Sequence, residues 1–320
     1  MNKKRLLIID STNQFLRAYI VDPSLSTNGD PIGGVKGYLK ILQKTVREVK
    51  PDLVVIVWDG PGGSAKRAKM VKDYKAGRKP IRLNRNLNLP EYQQEENKKW
   101  QHIRCIEYLN NLPVLQFAQP DVEADDVISF IARHQDFKDW QKVILSSDKD
   151  FIQLCDNSTV LYRPTQKEIL NNKDIVEKYG VHPNNFALAR AIDGDRSDNL
   201  KGVPGAGMAT VAKRLPFLVE SKDYTIDDIK KYCEERAGKF KFYDNVVDNI
   251  KLVSKNYQIM QLYSPIISYK AMKEIEFTLR NSKMMLNRTG MIKMMFEDGF
   301  GDGNWDDLYR IMKRIVVSSK

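Results

Sequence analysis

The stretch KVILSSDKDFIQL, residues 142–154, decides the fold. Its apolar start has the length of a strand, and it breaks at two serines into two acids, Asp148 and Asp150, with one lysine between them. A short apolar run that stops so abruptly reads as a buried strand. Open parallel sheets bind ligands in the crevice beyond the carboxyl ends of their strands. Carboxylates at that place therefore invite a search for others that follow other strands.

Other apolar runs also end at acids. LLII (6–9) runs into Asp10, and STNQFLRAYI follows as a helix in which Ser11 and Gln14 have the spacing of a capping box. Val35, Leu39, Leu42, Val46 and Val49 recur at helical spacing before Pro51 stops them. LVVIVW (53–58) is a second buried strand and ends at Asp59; a long helix carrying Ile103, Ile106 and Leu109 leads to a third strand, PVLQF. VEADDVISFIARH then opens a helix with Glu123, Asp125 and Asp126 at its start, and Glu123 and Asp126 stand one turn apart. Strands alternating with helices predict an α/β fold with a mostly parallel central sheet covered on both faces.

Any one of these acids has an ordinary reading, because Asp is common in loops and the helix dipole favours acids in a first turn. Several acids after separate strands are different. Like charges gathered on one edge repel and raise each other's pKa unless a cation neutralises them. The three histidines lack ligand spacing and the three cysteines lack any CxxC pair, so the donors are all oxygen, which suits Mg²⁺ or Mn²⁺ and argues against zinc.

Charge supplies the second signal. The 320 residues carry a formal +11, which favours a polyanionic partner. KRAKMVKDYKAGRKPIRLNR (66–85) holds nine Lys or Arg against one acid and lies inside a domain, between the second strand and the next long helix. Lys66, Arg67, Lys72, Lys75 and Arg78 are placed to grip phosphates, and Tyr74 to stack on a base. DGPGGSAKR is a false phosphate loop, since Ala65 and Arg67 replace the second Gly and the Ser or Thr of that motif. In GDRSDNLKGVPGAGMATVAKRL (194–215), Gly202, Gly205 and Gly207 form a hairpin feeding a helix, with Lys213 and Arg214 nearby as backbone contacts. Asp195 and Asp198 precede it as two more candidate ligands at helical spacing. MNKKRLLIID has too few apolar residues for a signal peptide or a span, so a soluble, cytoplasmic protein is expected.

LLIIDSTN, VWDG, DYKAGRKP, VEADDVI, SSDKDFIQL, GDRSDNLKGVPGAG and ATVAKRL occur in the order seen in the structure-specific 5′ nucleases, and over residues 5–215 the chain resembles the phage and bacterial branch of that superfamily. The resemblance implies a PIN-like nuclease domain over 1–188 with a helical arch in the basic insertion at about 62–100. It implies a helix-three-turn-helix DNA-binding region at 189–265, followed by a helical C-terminal region at 266–320. Carried over by position, the ligands of two Mg²⁺ or Mn²⁺ ions and their companions are Asp10, Asp59, Glu123, Asp125, Asp126, Asp148, Asp150, Asp195 and Asp198. Lys75 and Arg78 take the catalytic positions that steer the scissile phosphate, and the glycine hairpin is suited to K⁺. The implied activity is 5′ to 3′ exonuclease and flap endonuclease on DNA with 5′ ends, flaps or nicks, extending to RNA–DNA hybrids and RNA primers in replication or repair. A monomer is expected, with any protein partner in replication unnamed. Two alternatives share the scaffold: a junction-binding protein without catalysis, and a PIN-type ribonuclease.

Overall fold

The structure is a computed structural model that describes residues 3–77, 80–301 and 305–318. Strands β1 (Arg5–Asp10), β2 (Leu53–Val57), β3 (Leu115–Phe117), β4 (Gln141–Leu145), β5 (Thr159–Arg163) and β6 (Glu168–Leu170) make one sheet in the order β3-β2-β1-β4-β5-β6. All pairings are parallel except β5 with β6. Neighbouring residues of β1 and β2 serve opposite faces. Leu6, Ile8, Leu53, Val55 and Val57 enter one core, while Leu7, Ile9, Val54 and Ile56 enter the other. Burial on both faces is why these strands read as unbroken apolar runs.

The Leu7 and Ile9 face is covered by α1 (Ser11–Val21), α2 (Gly33–Val49) and α4 (Glu91–Asn110). Helix α2 ends as its sequence suggests, with Lys50 in the left-handed region at φ 51° immediately before Pro51. In α4 Cys105, Tyr108 and Leu109 are buried and Ile106 packs against the same core, whereas Ile103 is exposed. The basic insertion contains α3 (Ala65–Met70) followed by turns, so its helical part is short. On the other face lie α5 (Ala124–Ala132), α6 (Asn172–Tyr179), α7 (Pro183–Asp193), α8 (Met208–Arg214), α9 (Ile226–Glu234), α10 (Lys241–Asp248), α11 (Ile250–Met260) and α12 (Tyr269–Asn281).

Helices α13 (Arg288–Glu297) and α14 (Asp306–Ser318) return to the first face. Met291, Met295, Phe300, Leu308 and Met312 join the core of Tyr38 and Leu42 there, so this Met-rich segment packs against the α1/α2 layer. Cys105, Cys155 and Cys233 are free and buried. Among the described residues no helix is long and apolar enough to cross a membrane.

Candidate active site

The site grows from the place where the sheet order reverses. After β1 the chain builds β2 and β3 on one side and then returns to place β4 on the other, which opens a crevice at the carboxyl end of β1. Asp10 is the last residue of β1, opposite Val57 of β2, and Leu145 of β4 pairs with Ile9 on its other side. One Asp10 carboxylate oxygen accepts the Asn13 N–H at 3.3 Å, capping α1, and the other accepts the Ser146 hydroxyl at 2.7 Å. The expected capping box at Ser11 and Gln14 does not form: Asp10 takes the cap, and Ser11 is buried against the Tyr38 hydroxyl at 2.6 Å.

The other acids are fixed by similar short-range bonds. Ser146 Oγ accepts the Asp148 N–H at 3.0 Å, and the Asp148 carboxylate accepts the Asp150 N–H at 2.9 Å. Asp59 receives the Ala124 N–H at 3.0 Å, tying the end of β2 to the first turn of α5. Asp195 and Asp198 stand in a loop rather than on a helix. The loop is closed by a bridge between Asp195 and Leu200, and the Asp195 carboxylate accepts the Ser197 N–H at 2.7 Å.

Electrostatics sort these acids into two groups. Burial pushes the Asp10 carboxyl up to about 7, and Asp59 and Asp148 add repulsion against the bond from Ser146. Asp150 also rises to about 7, through burial and then Asp148. Burial drives Asp125 well above its ordinary range, with Asp148, Asp10 and Glu123 adding to it. Asp148 is raised by burial and by Asp198 and Asp195. Burial is the first cause in all four, and Asp10, Asp125 and Asp150 each feel the repulsion of Asp148 as well.

The second group is neutralised by the chain's own cations. Arg67 is 3% exposed and donates from Nη1 to Glu123 at 2.9 Å and to Asp126 at 2.7 Å, from Nη2 to Asp126 at 3.2 Å, and from Nε to the Ile259 carbonyl at 3.0 Å. Asp126 also accepts the Ile266 N–H at 2.9 Å, so both its oxygens are engaged away from the acid crevice. Lys75 Nζ donates to Glu123 at 2.8 Å. Although burial pushes Glu123 up, Arg67 and Lys75 outweigh it and hold its carboxyl below the usual range. Arg190 of α7 bonds Asp150 at 3.2 Å and also Asp195, whose carboxyl is held below its ordinary range despite burial, first by the Ser197 hydroxyl and then by Arg190.

Several expected nucleic-acid contacts therefore sit elsewhere. Arg67 is an interior ion-pair residue and cannot reach a phosphate at the surface. Tyr74 is buried, with its hydroxyl 3.3 Å from Glu123, instead of offering its ring to a base. Lys66 bonds the Ile266 carbonyl at 3.2 Å, Lys72 is exposed, and Arg78 lies outside the described residues. The insertion closes over the acids, with the Lys75 N–H on the Asp198 carbonyl at 3.0 Å and the Asn199 side chain on the Asp73 carbonyl at 3.0 Å.

The glycine hairpin lines a cleft of about 750 Å³ together with Arg190, Arg196 and Lys201. A side chain at Gly202 would meet the Asp193 carbonyl oxygen at 2.0 Å, and Gly205 takes φ +75°. Glycine is required at the first by close backbone packing and favoured at the second by its left-handed conformation. Gly207 caps α8, Lys213 is exposed, and Arg214 lies 3.5 Å over the Phe240 ring.

Sequence reasoning missed Arg190 altogether. Its signal was Asp193 and Asp195 three and five residues further on, which the helix end folds back toward it.

Among the described residues, no group of three carboxylate, imidazole or thiolate side chains is arranged to enclose an ion by itself. The donor chemistry nevertheless fits a hard divalent cation, which binds through one or two carboxylates and keeps several waters. The four raised carboxyls are the groups such a cation would relieve.

Comparison with known proteins agrees with this geometry. Residues 5–180 match the sequence model of the 5′-3′ exonuclease N-terminal resolvase-like domain. The chain is 28% identical to a 5′-3′ exonuclease of Aquifex aeolicus over 82% of this chain and 83% of that one. It is 30% identical to DNA polymerase I of Caldicellulosiruptor bescii over 73% of this chain and only 27% of the polymerase, so it spans about a quarter of that relative. The fold is that of the bacteriophage T5 flap endonuclease solved with DNA and metal ions, with a TM-score of 0.64 at 18% identity, covering 93% of this chain and all of that one.

Proposed function

We infer the activity from one premise: the chain belongs to the 5′-3′ exonuclease family, whose domain matches more than half of it. The protein is a metal-dependent 5′ nuclease that hydrolyses phosphodiester bonds. Its substrate is DNA with a 5′ end, flap or nick, as the relatives' names and the basic insertion support.

The observation that carries the reading is the set of four raised carboxyls at the reversal point, Asp10, Asp125, Asp148 and Asp150. They, with Asp59, Asp195 and Asp198 around them, are the residues that would hold two Mg²⁺ or Mn²⁺ ions. Such ions supply Lewis-acid polarisation of the scissile phosphate and a more acidic attacking water. Glu123 contributes through its bond to Lys75, and Asp126 leaves the ligand set because Arg67 and the Ile266 N–H occupy it.

The rest of the work belongs to the chain's own cations. Lys75 stands at the acid edge with an ammonium that exchanges Glu123 for a phosphoryl oxygen when a strand enters, and Arg78 follows it in the same basic run. A cation aimed where charge builds on the phosphoryl group stabilises the transition state more than the ground state. Lys213 and the hairpin of Gly202, Gly205 and Gly207 hold the duplex backbone, and the hairpin carbonyls offer a K⁺ site.

A labelled 5′ flap, a nicked duplex and an RNA–DNA hybrid, each with Mg²⁺ and with chelator, test the proposal. Cleavage of the flap or nick only with Mg²⁺ is expected. Tight DNA binding without any cleavage in Mg²⁺ or Mn²⁺ would overturn it.

A further inference from the structure

On the β5 side of the acids stands a cation that the mechanism above does not use. Arg17 of α1 is half-buried, and its hydrogen bond goes to the Ser147 hydroxyl; it makes no ion pair among the described residues. Ser147 immediately precedes Asp148. Its hydroxyl lies 3.2 Å from the Thr165 hydroxyl, and its N–H points at the Asn13 side-chain oxygen at 3.4 Å. Thr165 belongs to the turn joining β5 to β6, which the parallel pairing of β4 with β5 brings to the same edge as Asp148.

A guanidinium presents five donors in a fixed fork suited to carboxylate or phosphate. Here one hydroxyl uses a small part of that capacity, and burial without a negative partner holds the Arg17 pKa down. A half-buried guanidinium whose donors are mostly unengaged by the described residues can take up phosphate oxygens. Lys149 and Lys167, both exposed and without ion pairs among the described residues, add positive charge to the same corner.

The insertion with Lys75 approaches the acids from the side of β2 and β3, whereas Arg17 approaches from β4 and β5. A strand lying across the edge therefore meets one positive grip before the acids and another after them. We propose that Arg17, Ser147, Thr165 and Asn13 form a phosphate subsite that holds a substrate phosphate beside the one being cut. The assignment rests on the nuclease reading and adds a second anchor to it. The anchor fixes the position of the strand against Asp148 and Asp150, whose charge would otherwise repel it.

The test uses 5′-flap duplexes carrying one neutral methylphosphonate linkage at a time on either side of the cleavage point, plus a matched pair with 5′-phosphate and 5′-hydroxyl ends. Binding is measured in Ca²⁺, without cutting, for wild type, Arg17→Ala and Arg17→Lys. One neutralised position should weaken wild-type binding about ten-fold. Arg17→Ala should be weaker by a similar factor on unmodified DNA and lose nothing more at that position, with Arg17→Lys between the two. Coupling to an internal linkage or to the terminal phosphate identifies which phosphate is held. If Arg17→Ala fails to fold, the Arg17→Lys series carries the comparison. Equal sensitivity of wild type and variant at every position would overturn the subsite. Failure of the wild type to cut any flap in Mg²⁺ would instead overturn the nuclease reading.

Discussion

Arg67 and Asp126 form a two-pronged ion pair in the interior of the protein, 2.7 Å and 3.2 Å across its two bonds, with side chains 4% and 2% exposed. Through Glu123 and the Ile259 carbonyl the same guanidinium joins the base of the basic insertion to α5 and the end of α11. The insertion is thus fixed at its root.

Removing one partner of a buried pair strands the other charge, a loss of about 3–5 kcal/mol. Arg67→Ala should lose about that much in urea unfolding, and Arg67→Met less. A loss below about 1 kcal/mol for Arg67→Ala would show that the interior network does not hold the insertion.

Lys75 is different, because it is half-buried and its partner Glu123 keeps Arg67. Lys75→Ala should slow single-turnover cleavage about ten-fold or more while changing duplex affinity much less. Equal losses in cleavage and binding would reduce Lys75 to an anchor.

Lys213 is exposed, whereas Arg214 stacks on Phe240. Lys213→Ala should weaken binding alike on all sequences and lower the salt slope by about one. Arg214→Ala should do the same and also lower the melting temperature, because its stem and guanidinium cover an aromatic ring. An unchanged slope for Lys213→Ala would remove it from the interface.

The raised carboxyls set a pH dependence. Asp10 and Asp150 hold their protons up to about 7 in the folded chain, against 3.8 ordinarily. Their contribution to stability is therefore complete below about pH 4 and is lost as pH rises through 7. Glu123 and Asp195 act oppositely, and their contribution is lost as pH falls. In chelator the melting temperature should drop between pH 5.5 and 8, and Mg²⁺ should flatten that drop. A melting temperature that rises over this interval in chelator would contradict the raised pKa of the acid set.

Most of the sheet and the acid edge was legible because strands buried on both faces leave unbroken apolar runs, and each run ended at an acid. LLII, LVVIVW and KVILSS announced three neighbouring strands and the crevice among them. Partner choice within the edge was not legible. A carboxylate that will hold an arginine looks the same in sequence as one that will hold an ion, so Asp126 was grouped with Asp125. The basic run read as one surface, although α3 turns Arg67 inward while Lys72 stays exposed. Arg190 escaped notice because its partners Asp150 and Asp195 come from two other segments, which only the fold brings together.

Four acids, Asp10 at the end of β1, Asp125 in the first turn of α5, and Asp148 and Asp150 after β4, share an electrostatic burden that a divalent cation relieves. Thermal melts of wild type and Asp148→Asn at pH 8, in chelator and across several Mg²⁺ concentrations, test it without any substrate. Neutralising one acid should raise stability in chelator by about 1 kcal/mol, beyond the roughly 0.5 kcal/mol range of most surface substitutions. Mg²⁺ should then stabilise wild type by mass action and the variant less. A variant less stable than wild type in chelator that gains as much from Mg²⁺ would contradict the account and leave Asp148 a structural acid at a strand end.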